Sequence, residues 1–301
     1  MNIAFLHSHA PYASMLIRAF PEHRFYVNEW AGFLRDLPSN AQFVSGPRIM
    51  GEFDCVIMDR RDRVDVSKMM TRRNVFIIHC EQNHDDNSTS LMNYAFDSMF
   101  DFVVSVSEWK ASTLKHFADD PRLRVIRFSS DFPKRMTEPV SGRVGVVGNG
   151  LSHEKVSFIQ EVSDGYPDFV TIGHGNSDSC GTIIHPNNFT EYVQALHSLD
   201  VFVNVVDGNS FGMTPMEAMA SGIPTIHGES TDCLSLREHS KNCLVTKGRI
   251  HQSVQQVREM IHELVSDREK NKRIGNAGKV AVADYFSPSV FREKWSEVLE
   301  S

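Results

Sequence analysis

Residues 200–224 read DVFVNVVDGNSFGMTPMEAMASGIP, and the rest of the chain is best understood from this stretch outward. Val201–Val206 is an apolar run rich in β-branched residues, the kind that fills a strand buried on both faces of a parallel sheet. Asp207-Gly208-Asn209-Ser210 is a polar, Gly-bearing turn, and Phe211-Gly212-Met213-Thr214 leads into a helix, Pro215–Ala220. Thr214 is placed to cap that helix with Pro215 at its first position, where a missing N–H costs nothing. Ser221-Gly222 ends the helix and Ile223-Pro224-Thr225-Ile226 opens the next strand. A strand that feeds a Gly-bearing loop and then a helix aims free backbone N–H groups, and the positive end of a helix dipole, at one spot. Such a spot suits a phosphate, although the same pattern also serves ordinary α/β turns that bind nothing.

The 301 residues suffice for two domains of about 150 each, and 41% hydrophobic with 23% charged residues is the balance of a globular protein in water. The net charge of −7 is spread without a basic block: residues 1–140 hold 17 basic and 18 acidic side chains, residues 141–301 hold 14 and 20. Neither half is therefore a nucleic-acid-binding or anionic-membrane surface as a whole. Five scattered cysteines without a CxxC pair support neither a zinc site nor a disulfide framework, and fit a reducing compartment. No signal peptide or membrane-spanning run is visible, so a cytoplasmic location is expected.

Apolar runs place strands at Ile3–Leu6, Phe53–Met58, Val75–Ile78, Phe102–Val106 and Leu123–Phe128, with a helix over Ala13–Phe20. Ser129–Gly142, rich in turn formers, reads as a linker. A second α/β series follows, with strands at Arg143–Val147, Phe169–Ile172 and Thr182–His185 and a helix over Asn188–Ser198. Further helices are read over Val254–Asp267, Ile274–Phe286 and Ser289–Leu299. The expected domains are thus 1–140 and 141–286, with a C-terminal helix at 287–301. Loops that leave the strands at their carboxyl ends are where ligands bind in such sheets. That places His7, His9 and Tyr12 by a cleft, or else in surface and packing roles. His79 falls in the loop after Val75–Ile78, beside Glu81, Gln82, Asn83 and His84. His79 and His84 lack the spacing and the third ligand of a zinc site. The charged connection Asp59–Arg73, with Asp62 and Asp65 among its arginines, reads as a solvated mixed-charge face.

The pattern Ser210-Phe211-Gly212…Glu217-Ala218-Met219-Ala220…Gly222-x-Pro224 resembles the donor-sugar-nucleotide motif of retaining GT-B glycosyltransferases, family four in particular, with its glycogen-synthase-like and mannosyltransferase-like members. The resemblance implies an α/β fold of two Rossmann-like domains facing a cleft, with the last helix crossing back to the N-terminal domain. It implies a hexosyltransferase that takes a nucleotide-diphosphate sugar, UDP- or GDP-linked, and transfers its sugar to a hydroxyl acceptor the sequence does not identify. No cofactor and no metal are implied, and no Asp-x-Asp metal motif occurs in the chain.

Residue by residue, the resemblance assigns Glu217 to the ribose hydroxyls, His79 to the neighbourhood of the donor sugar and Lys155 to the diphosphate. Asn149, Gly150, Asn209, Ser210, Phe211, Gly212, Met213 and Thr214 complete the donor site. Two positions depart from the family pattern. Asn209 stands where the family has an acid that contacts the sugar, and Gly150 stands where it has an arginine that partners the lysine. An amide donates as well as accepts, so Asn209 keeps a sugar-binding capacity with altered selectivity. A lone lysine acts on phosphate as a point charge without the bidentate fork of a guanidinium. These departures leave open a nucleotide-sugar-binding protein of weak transferase activity, or a GT-B sugar-nucleotide hydrolase or epimerase.

Overall fold

The computed structural model describes residues 1–6, 10–28, 37–44, 52–59, 71–78, 100–113, 117, 119–135, 137–148, 152–173, 181–205, 212–229, 236 and 238–301. The chain forms two compact units, Met1–Ser129 together with Pro288–Ser301, and Ser130–Ser287.

The first unit is built on seven parallel strands in the order β3-β2-β1-β4-β5-β6-β7. They are β1 (Asn2–Leu6), β2 (Arg24–Val27), β3 (Ala41–Phe43), β4 (Cys55–Met58), β5 (Asn74–Ile78), β6 (Phe102–Ser105) and β7 (Leu123–Val125). Every residue of β4 and all but the first of β1 and β5 are buried, as a sheet covered on both faces requires. Helices α1 (Ala10–Ala19), α2 (Glu108–Thr113) and the C-terminal α8 (Pro288–Glu300) belong to this unit.

Tyr12 is fully buried, its ring set edge-on to Phe128 and Phe291 and its hydroxyl accepting a 3.1 Å hydrogen bond from Trp295 Nε1, so it is a core residue that anchors α8. Burial raises its phenol well above the ordinary tyrosine range. Of the charged connection, Asp59 is fully buried, Arg73 donates to the Leu299 carbonyl and Arg72 is exposed, while Arg60, Arg61, Asp62, Arg63, Asp65 and Lys68 lie outside the described residues.

His23 sits between α1 and β2, 8% exposed and stacked on Phe20 at 5.5 Å, and neither ring nitrogen has a hydrogen-bond partner among the described residues. Burial, and next the N-terminal ammonium, lower its pKa, while Glu22 and Glu300 act the other way. The folded protein therefore resists taking up a proton that the unfolded chain accepts near pH 6.5. Stability from this site is complete above that pH and is lost as pH falls below it. The melting temperature is expected to drop between pH 7 and pH 5, and less steeply in His23→Phe. Parallel curves for the two proteins would remove His23 from the explanation.

The second unit has six parallel strands in the order β10-β9-β8-β11-β12-β13. These are β8 (Val144–Val147), β9 (Phe169–Ile172), β10 (Thr182–Ile184), β11 (Val201–Val203), β12 (Thr225–His227) and β13 (Leu244–Val245). Helices α3 (His153–Ser163), α4 (Phe189–His197), α5 (Met213–Ala220), α6 (Val254–Ser266) and α7 (Arg268–Tyr285) surround it. One face carries a core in which Phe158, Ile159 and Val162 of α3 and Val257, Ile261 and Leu264 of α6 meet Val144, Val146, Val201, Val203 and Ile226 of the strands. Right-handed crossovers running the other way along the sheet put α4 and α5 on the opposite face.

Three boundaries differ from the sequence reading. Strand β11 is shorter than the apolar run that announced it. Helix α7 begins at Arg268 rather than Ile274. Its first turns, Arg-Glu-Lys-Asn-Lys-Arg, show no apolar period, but Asp267 caps them by accepting from Lys270 N at 2.9 Å. Helix α5 begins at Met213 with Gly212 as its N-cap, so Thr214 is not the cap and Pro215 is the third helical residue. Gly212 has φ 78° and ψ 162°, a conformation that favours glycine, and this lets the helix open one turn position early.

Candidate functional site

The strand order fixes where a ligand can sit in the second unit. Strands β8, β9 and β10 progress toward one edge, whereas β11 lies on the other side of β8. Helix α3 follows β8 on one face of the sheet and α5 follows β11 on the other. Between them, at the carboxyl ends of the strands, opens the crevice of a topological switch point. The first unit has its own switch point between β1 and β4, where buried Asp59 ends β4.

Two helices of the second unit begin after the strands that flank its switch point. At α3, Ser152 is the N-cap but offers no side-chain cap, and Lys155, half-buried, is the third residue of the first turn. At α5, Gly212 has no side chain to cap with, so the amides of Met213 and Thr214 lack an intrahelical acceptor, and Pro215 contributes none. Among the described residues neither first turn is capped by a side chain, and first-turn amides with the positive end of a helix dipole suit an anion. Among the described residues, no three His, Cys, Asp or Glu side chains come together to hold a metal ion.

Glu217 lies on α5 one turn beyond Met213 and is only 4% exposed. Its Oε2 accepts a 2.6 Å hydrogen bond from the Tyr192 hydroxyl on α4. A second tie joins the far ends of the same helices. His197 Nε2 lies 3.1 Å from Ser221 Oγ, which donates to the Glu217 carbonyl at 2.9 Å. Burial, then the Arg135 guanidinium, lower the His197 pKa, which keeps the imidazole neutral in this contact. Arg135 Nε in turn donates to the His197 carbonyl at 2.9 Å. The exit of α5 is equally defined. Gly222 (φ 75°) donates to Met219 O at 2.8 Å and Ile223 donates to Ala218 O at 3.0 Å, a Schellman turn.

Of the sequence-derived site residues, Lys155 lies in the first turn of α3, Gly212 is the N-cap of α5, Met213 and Thr214 lie in its first turn and Glu217 one turn further on. His79, Asn149, Gly150, Asn209, Ser210 and Phe211 lie outside the described residues, as do His7 and His9. Tyr192 and His197 were missed. At Tyr192 the one available signal was that a buried tyrosine hydroxyl needs a polar partner. A groove of about 990 Å³ opens at the other edge of the sheet, beside β13 and α6, lined by Glu229, His239, Lys247, Gln256, Glu259 and Glu263. Its polar groups already serve one another: Glu229 accepts from Gly248 N, Gln256 from Lys247 N, and Glu263 pairs with Lys270.

Comparison with known proteins agrees with this layout. Residues 171–281 match the family model for glycosyl transferases group 1. That segment runs from β9 into α7 and includes α5 with Glu217. A stretch of 98 residues is 34% identical to a GDP-mannose-dependent alpha-(1-6)-phosphatidylinositol monomannoside mannosyltransferase of Mycobacterium tuberculosis. It covers 30% of this chain and spans a quarter of the length of that protein. Among solved structures, HepE (Alr3699) of Anabaena, determined in complex with UDP and glucose, superposes with a TM-score of 0.75 over all of both chains at 14% identity. Sucrose-phosphate synthase of Thermosynechococcus elongatus gives 0.73 over 100% of this chain and 98% of that one, at 11% identity. The fold is two parallel-sheet α/β domains of the GT-B glycosyltransferase type. Among the described residues no helix is long and apolar enough to cross a membrane.

Proposed function

We propose that the protein is a retaining glycosyltransferase that moves a hexose from a UDP- or GDP-sugar to an acceptor hydroxyl without a metal. The observation that carries the reading is a buried carboxylate, Glu217, on a helix that opens at the switch point opposite the Lys155-bearing start of α3. Breaking the bond between sugar and diphosphate requires stabilising charge on the departing phosphate. Lys155 and the first-turn amides of α3 and α5 are suited to that need. Glu217 accepts from vicinal ribose hydroxyls, which a carboxylate can do with both oxygens. The departing phosphate takes the acceptor proton, so no separate base is required. Two similar proteins support the donor class: a GDP-mannose-dependent enzyme and a protein whose structure holds UDP with glucose.

Asn209 and Gly150, which replace an acid and an arginine of the resembled motif, favour a second reading, a nucleotide-sugar-binding protein with little turnover. A panel of sugar nucleotides, incubated with and without acceptors and assayed for nucleotide release, separates the two. Release that depends on acceptor, with the anomeric configuration of the product kept, supports the transferase. Binding without release supports the second reading, and release without acceptor means hydrolysis. Within the first reading, Lys155→Ala is expected to weaken nucleoside diphosphate binding about tenfold or more, the scale of one charged hydrogen bond. The loss should shrink as salt is raised. Calorimetric titrations with UDP and GDP that match the unsubstituted protein would take Lys155 out of the site.

A further inference from the structure

We infer that Tyr192 positions the Glu217 carboxylate and thereby sets the preference for ribose over deoxyribose in the bound nucleotide, an inference that rests on the donor-site reading above. The terminal carboxylate torsion of a glutamate has a broad, two-fold profile. The 2.6 Å bond from Tyr192 Oη to Oε2 narrows it, and its length is that of a charge-assisted O–H···O⁻ contact. In a site from which water is excluded such a bond is stronger than in solvent. An oriented carboxylate meets two vicinal hydroxyls in one geometry, whereas a turning one meets them only part of the time.

Tyr192 itself is held from three directions. Asn188 caps α4 by accepting from Glu191 N at 2.9 Å, and the Glu191 carboxylate accepts from Asn187 N and Nδ2 and from Asn188 Nδ2. This reciprocal cap fixes where the helix starts and so the height of Tyr192 upon it. Phe189, three residues earlier, stacks on the Tyr192 ring at 6.2 Å and 30°. Phe132, from the segment that opens the second unit, stands edge-on at 6.2 Å and 85°, and edge-on also to Phe189 and His197. A ring clamped in this way presents its hydroxyl at one place. The arrangement serves orientation of Glu217 beyond mere packing, since a phenylalanine would fill the same aromatic box without reaching the carboxylate.

The test compares UDP and GDP with their 2′-deoxy counterparts by calorimetry, on the full chain and on Tyr192→Phe, Glu217→Ala and the double variant. The ratio of deoxy to ribo dissociation constants is expected to fall about tenfold in Tyr192→Phe, the scale of a hydrogen bond to a charged group. The melting temperature should stay within a few degrees of the unsubstituted protein. In the Glu217→Ala background, Tyr192→Phe should change nothing further, because its effect runs through that carboxylate. Glu217→Asp, which keeps the charge but withdraws it from Tyr192 by one methylene, should reproduce the loss and covers the case in which Tyr192→Phe does not fold. If Glu217→Ala abolishes the ribose preference but Tyr192→Phe keeps it, the inference is overturned while the donor site stands. Equal losses for ribo and deoxy ligands, or additive losses in the double variant, reduce Tyr192 to a structural role. Failure of the unsubstituted protein to bind either diphosphate overturns the donor-site reading itself, and this inference with it.

Discussion

Glu217→Ala is expected to weaken binding of UDP and GDP alike, by roughly 10- to 150-fold. The figure follows from about 1.5–3 kcal/mol for a hydrogen bond to a charged group, with each 1.4 kcal/mol worth a factor of ten. The loss should be the same for both bases, because the proposed partner is the ribose that they share. Glu217→Gln keeps the shape and one acceptor oxygen but not the charge, so it should fall between the two. Stability should decline as well, since the buried Tyr192 hydroxyl loses this acceptor at 2.6 Å. Titrations in which Glu217→Ala binds both nucleotides as tightly as the unsubstituted protein would mean that Glu217 serves the fold alone.

The second large effect is expected at Gly275→Ala. Gly275 is buried on α7 where that helix crosses the exit of α5, and a Cβ there would stand 2.2 Å from the Gly222 carbonyl oxygen and 3.1 Å from its carbon. Neither atom is the tip of a flexible side chain. Gly222 is held in its Schellman turn by bonds to Met219 and Ala218, so α7 or the end of α5 must shift. In an unconstrained helix the substitution would stabilise by about 1 kcal/mol. Here overpacking should reverse the sign and cost about 1–3 kcal/mol, a fall of roughly 2–4 °C in melting temperature for each kcal/mol. Nucleotide affinity should fall in parallel because α5 carries Glu217. A melting temperature equal to or above that of the unsubstituted protein would show that the two helices can part at no cost.

These two residues also mark what the sequence disclosed and what it concealed. The place of Glu217 on a helix that follows a strand and a Gly-bearing loop was legible from the local pattern. The central strands were legible too, since β4, β5 and β11 are continuous apolar runs. Strands β2 and β3 were not read, because Arg24–Val27 and Ala41–Phe43 are short, with exposed residues and no clear alternation. Gly275 gave no signal, as its role depends on a carbonyl 53 positions away in sequence. The contacts of Tyr192 and Tyr12 were not legible. Tyr192 donates to the Glu217 carboxylate, and of the places open to Tyr12, a cleft or a packing role, it takes the packing one. In both cases the deciding contact is tertiary, across 25 and 283 residues respectively. The switch point between β8 and β11 is likewise a property of strand order, which no local pattern expresses.

The central claim is that a nucleoside diphosphate occupies the crevice between β8 and β11. Amide hydrogen exchange on the full chain, with and without saturating UDP or GDP, tests it most directly. The amides of His153–Lys155 and of Met213 and Thr214 lack intrahelical acceptors and should exchange quickly in the free protein. The account predicts that a diphosphate slows exchange at both of these first turns and leaves the groove around Lys247 and Gln256 unchanged. Slowed exchange confined to that groove, with Met213 and Thr214 unaffected, would contradict it.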